Sequence, residues 1–191
     1  NKLLSRLTHL EHQIRDMLIF AKGETRMAEE LSIERFEEAL RAAIEPVIEK
    51  SNIDCAWDVS AFDRSLLCNR EALVGACLNL VNNSIEAFEQ SGIKDRSLEL
   101  KIALENVSES GVSLSIRDNG PGIPKVHQSK LFEPFFTTKP QGTGLGLAVV
   151  QAVVKAHKGV FTLDSSKQGV TSVITLPTRS PSKRASPAIG K

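Results

Sequence analysis

Three glycine clusters and one asparagine pair carry the residue types that could do chemistry in this chain. The clusters are Asp118-Asn119-Gly120-Pro121-Gly122, Gly142-Thr143-Gly144-Leu145-Gly146-Leu147 and Gly169-Val170-Thr171. Glycine lets backbone N–H groups approach a phosphate, and a helix N-terminus adds partial positive charge at the same place. The second cluster has the form G-x-G-x-G and follows a loop rather than a strand, so a dinucleotide-binding fingerprint does not fit. No G-K-[ST] is present, which excludes a P-loop. Asn79 and Asn83 stand at i and i+4, on one face of any helix that carries them. Their amide oxygens can converge on Mg²⁺, an ion that takes oxygen ligands. The plain alternative is that Asn82, Asn83 and Ser84 are polar positions near a helix end, but helix interiors disfavour asparagine, and a cluster of them calls for a cause. Asp118 also fits an ordinary turn at a strand end.

These residues need elements to position them. Asn69 can cap a helix from about Arg70 to Gln90, ended by Gly92, and this helix carries both asparagines. Ser97 to Asn106 and Val112 to Arg117 read as two strands, the second delivering Asp118 at its end. A loop rich in Gly, Pro and Lys follows to about Thr143. Then come a helix from Leu145 to His157 and strands at Val160–Asp164 and Thr171–Leu176. Upstream, Ser32 caps a helix to about Lys50 with Phe36, Leu40, Ile44 and Val47 or Ile48 inward and a kink expected at Pro46, and Ile53–Val59 alternates as a strand. Segregated helices and strands predict an α+β fold, a two-layer sandwich of helices on one mixed, mostly antiparallel sheet.

The composition sets outer bounds. With 191 residues, 41% hydrophobic and 25% charged, the chain has a core's worth of apolar residues for one domain and a small extra piece. Disorder throughout, a collagen-like repeat and a disulfide scaffold are excluded. A net charge of +1 argues against nucleic acid as a partner. Cys55, Cys68 and Cys77 form no C-x-x-C pair and read as free thiols of a reducing, cytoplasmic setting. No apolar run is long enough to cross a bilayer and no signal peptide opens the chain, which begins at Asn1 and so reads as a fragment. Leu3, Leu7, Leu10, Ile14, Met17 and Ala21 step by four and three, the seam of a helical bundle, with Gly23 as its stop. Residues 178–191 form a basic Ser/Pro-rich tail that is expected to be disordered, leaving 24–177 as the main domain.

Taken in order, the blocks resemble the ATP-binding domain of sensor histidine kinases, within the wider group of gyrase- and MutL-type ATPases that share the Bergerat-type ATP fold. Asn79-Leu80-Val81-Asn82-Asn83 resembles the N box, and Asp118 to Gly122 the G1 box. Phe132-Glu133-Pro134-Phe135-Phe136 resembles the F box, Gly142 to Leu147 the G2 box, and Gly169 to Thr171 the trailing glycine motif. The Phe135-Phe136-Thr137-Thr138-Lys139 run is similar to the short-lid nitrogen-regulation and flagellar-regulation type. The leading helix would then be the second helix of a dimerisation bundle.

The resemblance implies ATP with Mg²⁺. Asp118 would accept from the adenine amine, where guanine offers a carbonyl and is rejected. Asn83 would hold Mg²⁺, with Asn79 beside it or on the phosphates. Gly120 and Gly122 would shape the nucleotide turn, and Thr143, Gly144, Leu145 and Gly146 would meet the phosphates. Thr171 would support the adenine side near Asp118. Phe132, Phe135 and Phe136 are expected to pack the lid or a bundle interface.

Two departures from the family pattern matter. Gyrase-like ATPases carry a water-activating glutamate where this chain has Asn79, an amide that is no base at neutral pH, so phosphoryl transfer is favoured over hydrolysis. Many histidine kinases carry a basic residue where this chain has Glu86, and Lys139 is the candidate to meet the phosphate charge instead, the alternative being a solvated lysine of the loop. The phosphoacceptor motif is not convincing: His12-Gln13-Ile14-Arg15-Asp16-Met17 lacks its acid and its proline, and His12 and His9 are read as bundle-flank residues. The implied partners are a histidine-bearing helix of the same kinase, a second copy in a homodimer, and a response regulator. The rivals are a gyrase- or MutL-like ATPase and an inactive nucleotide-binding scaffold.

Overall fold

The computed structural model describes residues 29–61, 64–105, 111–139 and 142–179. The heptad stripe from Leu3 to Ala21, His9, His12 and the Gly23 stop lie outside the described residues, as does the tail from residue 180.

Strand β1 (Glu29–Ser32) runs straight into helix α1 (Ile33–Lys50), because Ser32 is extended at φ −66° and ψ 152° and its hydroxyl accepts the Arg35 N–H. Phe36, Leu40, Ile44 and Ile48 recur at helical spacing and are buried. The helix continues without interruption through Pro46. After β2 (Asp54–Val59) and β3 (Ser65–Cys68), Asn69 accepts the Ala72 N–H across 3.0 Å and opens α2 (Arg70–Ser91), which Gly92 closes at φ 69°. Leu73, Ala76, Cys77, Leu80, Val81, Ile85 and Phe88 give α2 a wide apolar face. Next come β4 (Ser97–Glu105), β5 (Gly111–Asp118), a single turn α3 (Lys125–Gln128), α4 (Gly146–Ala156), β6 (Val160–Ser166) and β7 (Gly169–Arg179).

The seven strands join in the order β1-β3-β7-β5-β4-β2, with β6 also on β7. All described pairings are antiparallel except β2 with β4. Helices α1, α2 and α4 cover one face, as expected for an α+β sandwich. Along β5, Val112, Leu114, Ile116 and Asp118 are buried on that face, while Arg117 is exposed on the other. Asp118 is therefore the last member of a core stripe, and its carboxylate is delivered beneath α2.

His157 ties the far ends of two helices. Its Nε2 accepts the Asn69 N–H across 2.9 Å and its Nδ1 lies 2.7 Å from the Val153 carbonyl, so the end of α4 is bonded to the start of α2. It is a buried structural histidine.

Two strands, β1 and β3, escape sequence reading because four residues each are too few to show an alternation. The last strand also outruns its expected end. Thr178 and Arg179, assigned above to the tail, pair with Leu66 and Ser65. Pairing across strands, rather than the composition of the segment, ends β7.

Candidate functional site

A cleft of about 1300 Å³ opens between α2, the end of β5, the segments 121–139 and 142–144 and the start of α4. Its floor is Asp118, only 6% exposed. Both carboxylate oxygens are held, with acceptor capacity left on Oδ2: Oδ1 accepts from the Gly120 N–H at 2.8 Å and the Val170 N–H at 3.1 Å, and Oδ2 accepts from Ser84 Oγ at 2.8 Å. Each bond comes from a different element, namely the turn after β5, strand β7 and helix α2. Unmatched burial of such a group costs about 1–3 kcal/mol or more, so these donors are what allow it to stand there. Asn119 braces the same turn, accepting the Ser97 N–H and donating to the Asp95 carbonyl.

The walls beside Asp118 are apolar: Leu80, Ile116, Ile123, Leu131, Leu147, Leu163 and Val170 line the cleft, with Phe136. At the other end lie the polar residues. Asn79 is buried on the cleft side of α2, and Asn83 one turn on accepts the Lys139 ammonium at Oδ1 across 2.7 Å. Lys139 also pairs with Glu86. Lys50, Lys125, Lys139 and Lys167 face the cleft against the carboxylates of Glu86 and Asp118, a balance that suits an anionic ligand. An apolar slot ending in a polar anchor, next to a basic mouth, suits a planar base joined to phosphates.

The glycines divide by purpose. A Cβ on Gly169, which has φ +123°, would lie 1.8 Å from the Asp118 carbonyl oxygen, and one on Gly122, with φ +72°, would lie 1.8 Å from that of Ser166. These two let the β6–β7 turn close against the end of β5, and Ser165 Oγ accepts the Ile123 N–H across 2.7 Å at the same seam. Gly142 and Gly144 press on Thr137 and on the Phe135 backbone, whose N–H donates to the Gly144 carbonyl at 2.9 Å. Of the glycines in the three clusters, Gly146 alone faces open space. It begins α4, whose first N–H groups have no side-chain cap, and both Gly146 and Leu147 line the cleft. That helix start is where a phosphate can approach.

The sequence-predicted residues Asn79, Asn83, Asp118, Gly122, Lys139, Thr143, Gly144 and Gly146 all line this one cleft. Three others do not. Gly120 lies beneath Asp118, donating to it rather than facing the cleft. Leu145 is 2% exposed and packs in the core as the cap residue of α4. Thr171 pairs with Arg117, and strand alternation turns both to the face away from Asp118. Its place beside Asp118 is taken by Val170, through its backbone, and by the buried Ser172 opposite Ile116. The register of β7 on β5 decides both.

Ser84 reads in the sequence as a polar helix-end residue, and its partner is visible only once α2 lies over β5. Among the aromatics, Phe132 packs edge-on against Phe161 with centroids 5.8 Å apart, and Phe135 is exposed at φ 69°. Phe136 packs against His127 of the same loop, with ring centroids 5.9 Å apart, and also lines the cleft.

A cation has a suitable place here, since Asn83 Oδ1 already receives a positive group, the ammonium of Lys139. Among the described residues no cluster of three His, Cys, Asp or Glu side chains could hold a metal, so an ion here would take most of its ligands from outside the protein. No described helix is long and apolar enough to cross a membrane.

Comparison with known proteins agrees with this geometry. The family described as histidine kinase-, DNA gyrase B-, and HSP90-like ATPase matches residues 68–180. The chain is 43% identical over 177 residues to the sensor protein kinase FleS of Pseudomonas aeruginosa, which covers 92% of this chain and 42% of that protein. It is 28% identical to the signal transduction histidine-protein kinase AtoS of Escherichia coli, across 92% of this chain and 28% of that protein. The chain thus spans less than half the length of these relatives. Among solved structures, the nucleotide-free catalytic domain of histidine kinase ThkA aligns with TM-score 0.67 and 28% identity, over 80% of this chain and 96% of that one. Full-length ShkA in complex with AMPPNP aligns with TM-score 0.73 and 25% identity, over 90% and 36%.

Proposed function

The chain belongs to the histidine kinase-, DNA gyrase B- and HSP90-like ATPase family, and from that premise we propose that it is the ATP-binding catalytic part of a two-component sensor histidine kinase. Its reaction moves the γ-phosphoryl group of ATP to a histidine nitrogen: the bond from phosphorus to the β,γ-bridging oxygen breaks, a phosphorus–nitrogen bond forms, and ADP leaves. The observation that carries the reading is Asp118, a carboxylate at the end of an apolar slot, held by three donors from three elements. A carboxylate accepts and does not donate, so it pairs with the exocyclic amine of adenine and opposes the carbonyl of guanine.

The remaining roles follow from position. The uncapped start of α4 at Gly146 receives phosphate oxygens, and Lys139 supplies charge from the loop. Asn83 would hold Mg²⁺, which would supply charge neutralisation at the phosphates. Asn79 orients without acting as a base, because an amide takes up no proton at neutral pH. That favours transfer to a histidine over transfer to water. The relatives support the same choice, being named as sensor kinases. The acceptor histidine would be on another helix of the kinase, the working unit a homodimer, the next recipient a response regulator and the setting cytoplasmic.

The test is incubation with γ-labelled ATP and Mg²⁺, with and without a partner chain that carries a histidine helix. Acid-labile label on the added helix and none on this chain is the expected result. Steady phosphate release without transfer would favour the hydrolase reading, and absence of nucleotide binding the scaffold. Asn83→Ala should abolish transfer while ADP binding in EDTA stays within about three-fold, since that change touches the phosphate end alone.

A further inference from the structure

Asn83 and Glu86 lie three residues apart on α2, on the helix face that lines the cleft, and both hold one group. The Lys139 ammonium donates to Asn83 Oδ1 across 2.7 Å and pairs with Glu86 Oε2. The three side chains come from two segments 56 residues apart in the chain, so the contact draws the loop onto the helix. Lys139 is 28% exposed and Glu86 43%, which leaves the pair open to solvent and readily exchanged. An amide oxygen and a carboxylate oxygen converging on a positive charge are also what a divalent cation asks for, with a carboxylate the stronger ligand. Two positive groups cannot share so small a space, because at 4 Å their repulsion outweighs what one weak pair can return.

We propose that Asn83 and Glu86 form a cation seat, that Lys139 fills it in the nucleotide-free chain, and that a nucleotide-borne divalent cation displaces Lys139 towards the phosphates. The proposal rests on the reading of this cleft as an ATP site and adds Glu86 to the residues that handle the metal. It also accounts for the acidic residue at position 86: the positive charge on this helix face comes from the loop, where it can move, rather than from the helix, where it could not. Arrival of the cation and release of the loop lysine are then one exchange. The ammonium leaves a carboxylate and gains the phosphate oxygens as its new partners, while the carboxylate turns from the ammonium to the metal.

The seat can be read without nucleotide. Mn²⁺ titrated into the nucleotide-free chain, with the free ion followed by electron paramagnetic resonance, reports it alone. Lys139→Met should bind Mn²⁺ about five-fold more tightly than the unmodified chain, or better, because the competing ammonium is gone. Adding Glu86→Gln to Lys139→Met should return binding to the unmodified level or below. Equal Mn²⁺ binding by the unmodified chain and Lys139→Met overturns the proposal, as does a gain that survives Glu86→Gln. ADP binding in EDTA, measured on the unmodified chain, needs no metal in the seat. Its absence from the unmodified chain strikes at the ATP-site reading and leaves the Mn²⁺ comparison to judge the seat.

Discussion

Ser84 Oγ donates to Asp118 Oδ2 across 2.8 Å and so bonds the middle of the long helix to the end of the central strand β5. The hydroxyl has one hydrogen, and Asp118 takes it; the Leu80 carbonyl at 3.4 Å is the poorer partner. The residue proposed to anchor the nucleotide is therefore also a joint between the two layers of the fold.

Ser84→Ala should lower stability by about 1–2 kcal/mol, since a buried carboxylate loses one of its donors. Chemical denaturation measures this. Asp118→Asn should lower affinity for ADP and reduce the preference for ADP over GDP, because an amide can present a donor to the guanine carbonyl. Calorimetry with both nucleotides reads the ratio, and equal affinities in the unmodified chain would sink the role given to Asp118.

Two glycine substitutions should separate scaffold from ligand contact. Gly169→Ala places a methyl group 1.8 Å from a backbone oxygen at φ +123° and should cost at least about 2 kcal/mol of stability, with loss of nucleotide binding. Gly146→Ala meets nothing within 4 Å at a helix start and should leave stability unchanged or slightly higher. If phosphate approaches there, ADP affinity still falls. A Gly146→Ala chain that binds ADP normally would remove that phosphate seat.

The loop between Pro124 and Lys139 should exchange its amide hydrogens rapidly without nucleotide and slowly with Mg-ATP. Its only regular element is the single turn α3, and most of its residues are exposed or half-buried. The Phe135 N–H, bonded to the Gly144 carbonyl, should be the exception and show protection throughout. Unchanged exchange across the loop would make it a rigid wall.

The cysteines predict a loss of stability in alkali. Burial pushes the Cys77 thiol up to about 12 and the Cys68 thiol up to about 11, from an ordinary value of 9.0. Folded chains then keep protons that unfolded chains have released, so stability should fall as pH rises from about 9 towards 12. Cys77→Ala should flatten part of that slope in denaturation series at pH 8, 9 and 10. At pH 8, Cys77 should also resist alkylation until the chain unfolds, whereas half-buried Cys55 should react first.

What the sequence determined by itself was local. The caps at Ser32 and Asn69 and the glycine stop after Ser91 each rest on a bond within four residues, so the pattern of residue types suffices to place them. The alternation of β5 carried Asp118 onto the buried face for the same reason, and the order of the glycine and asparagine blocks named the family without a coordinate. Only the tertiary structure decided which groups meet. Asp118 takes its donors from residues 34 and 52 positions away, and Asn83 takes its ammonium from 56 positions away. Strands β1 and β3 are invisible in the sequence because pairing, of β1 with β3 and of β3 with β7, rather than their own four-residue patterns, makes them strands. Thr171 is expected near Asp118, but its side depends on register against β5, which sets it opposite Arg117 on the other face, and a shift of one residue reverses every side chain. Gly122 and Gly169, which stand in glycine clusters open to a ligand, serve contact between backbones, a use that no spacing in the sequence distinguishes from room for a ligand.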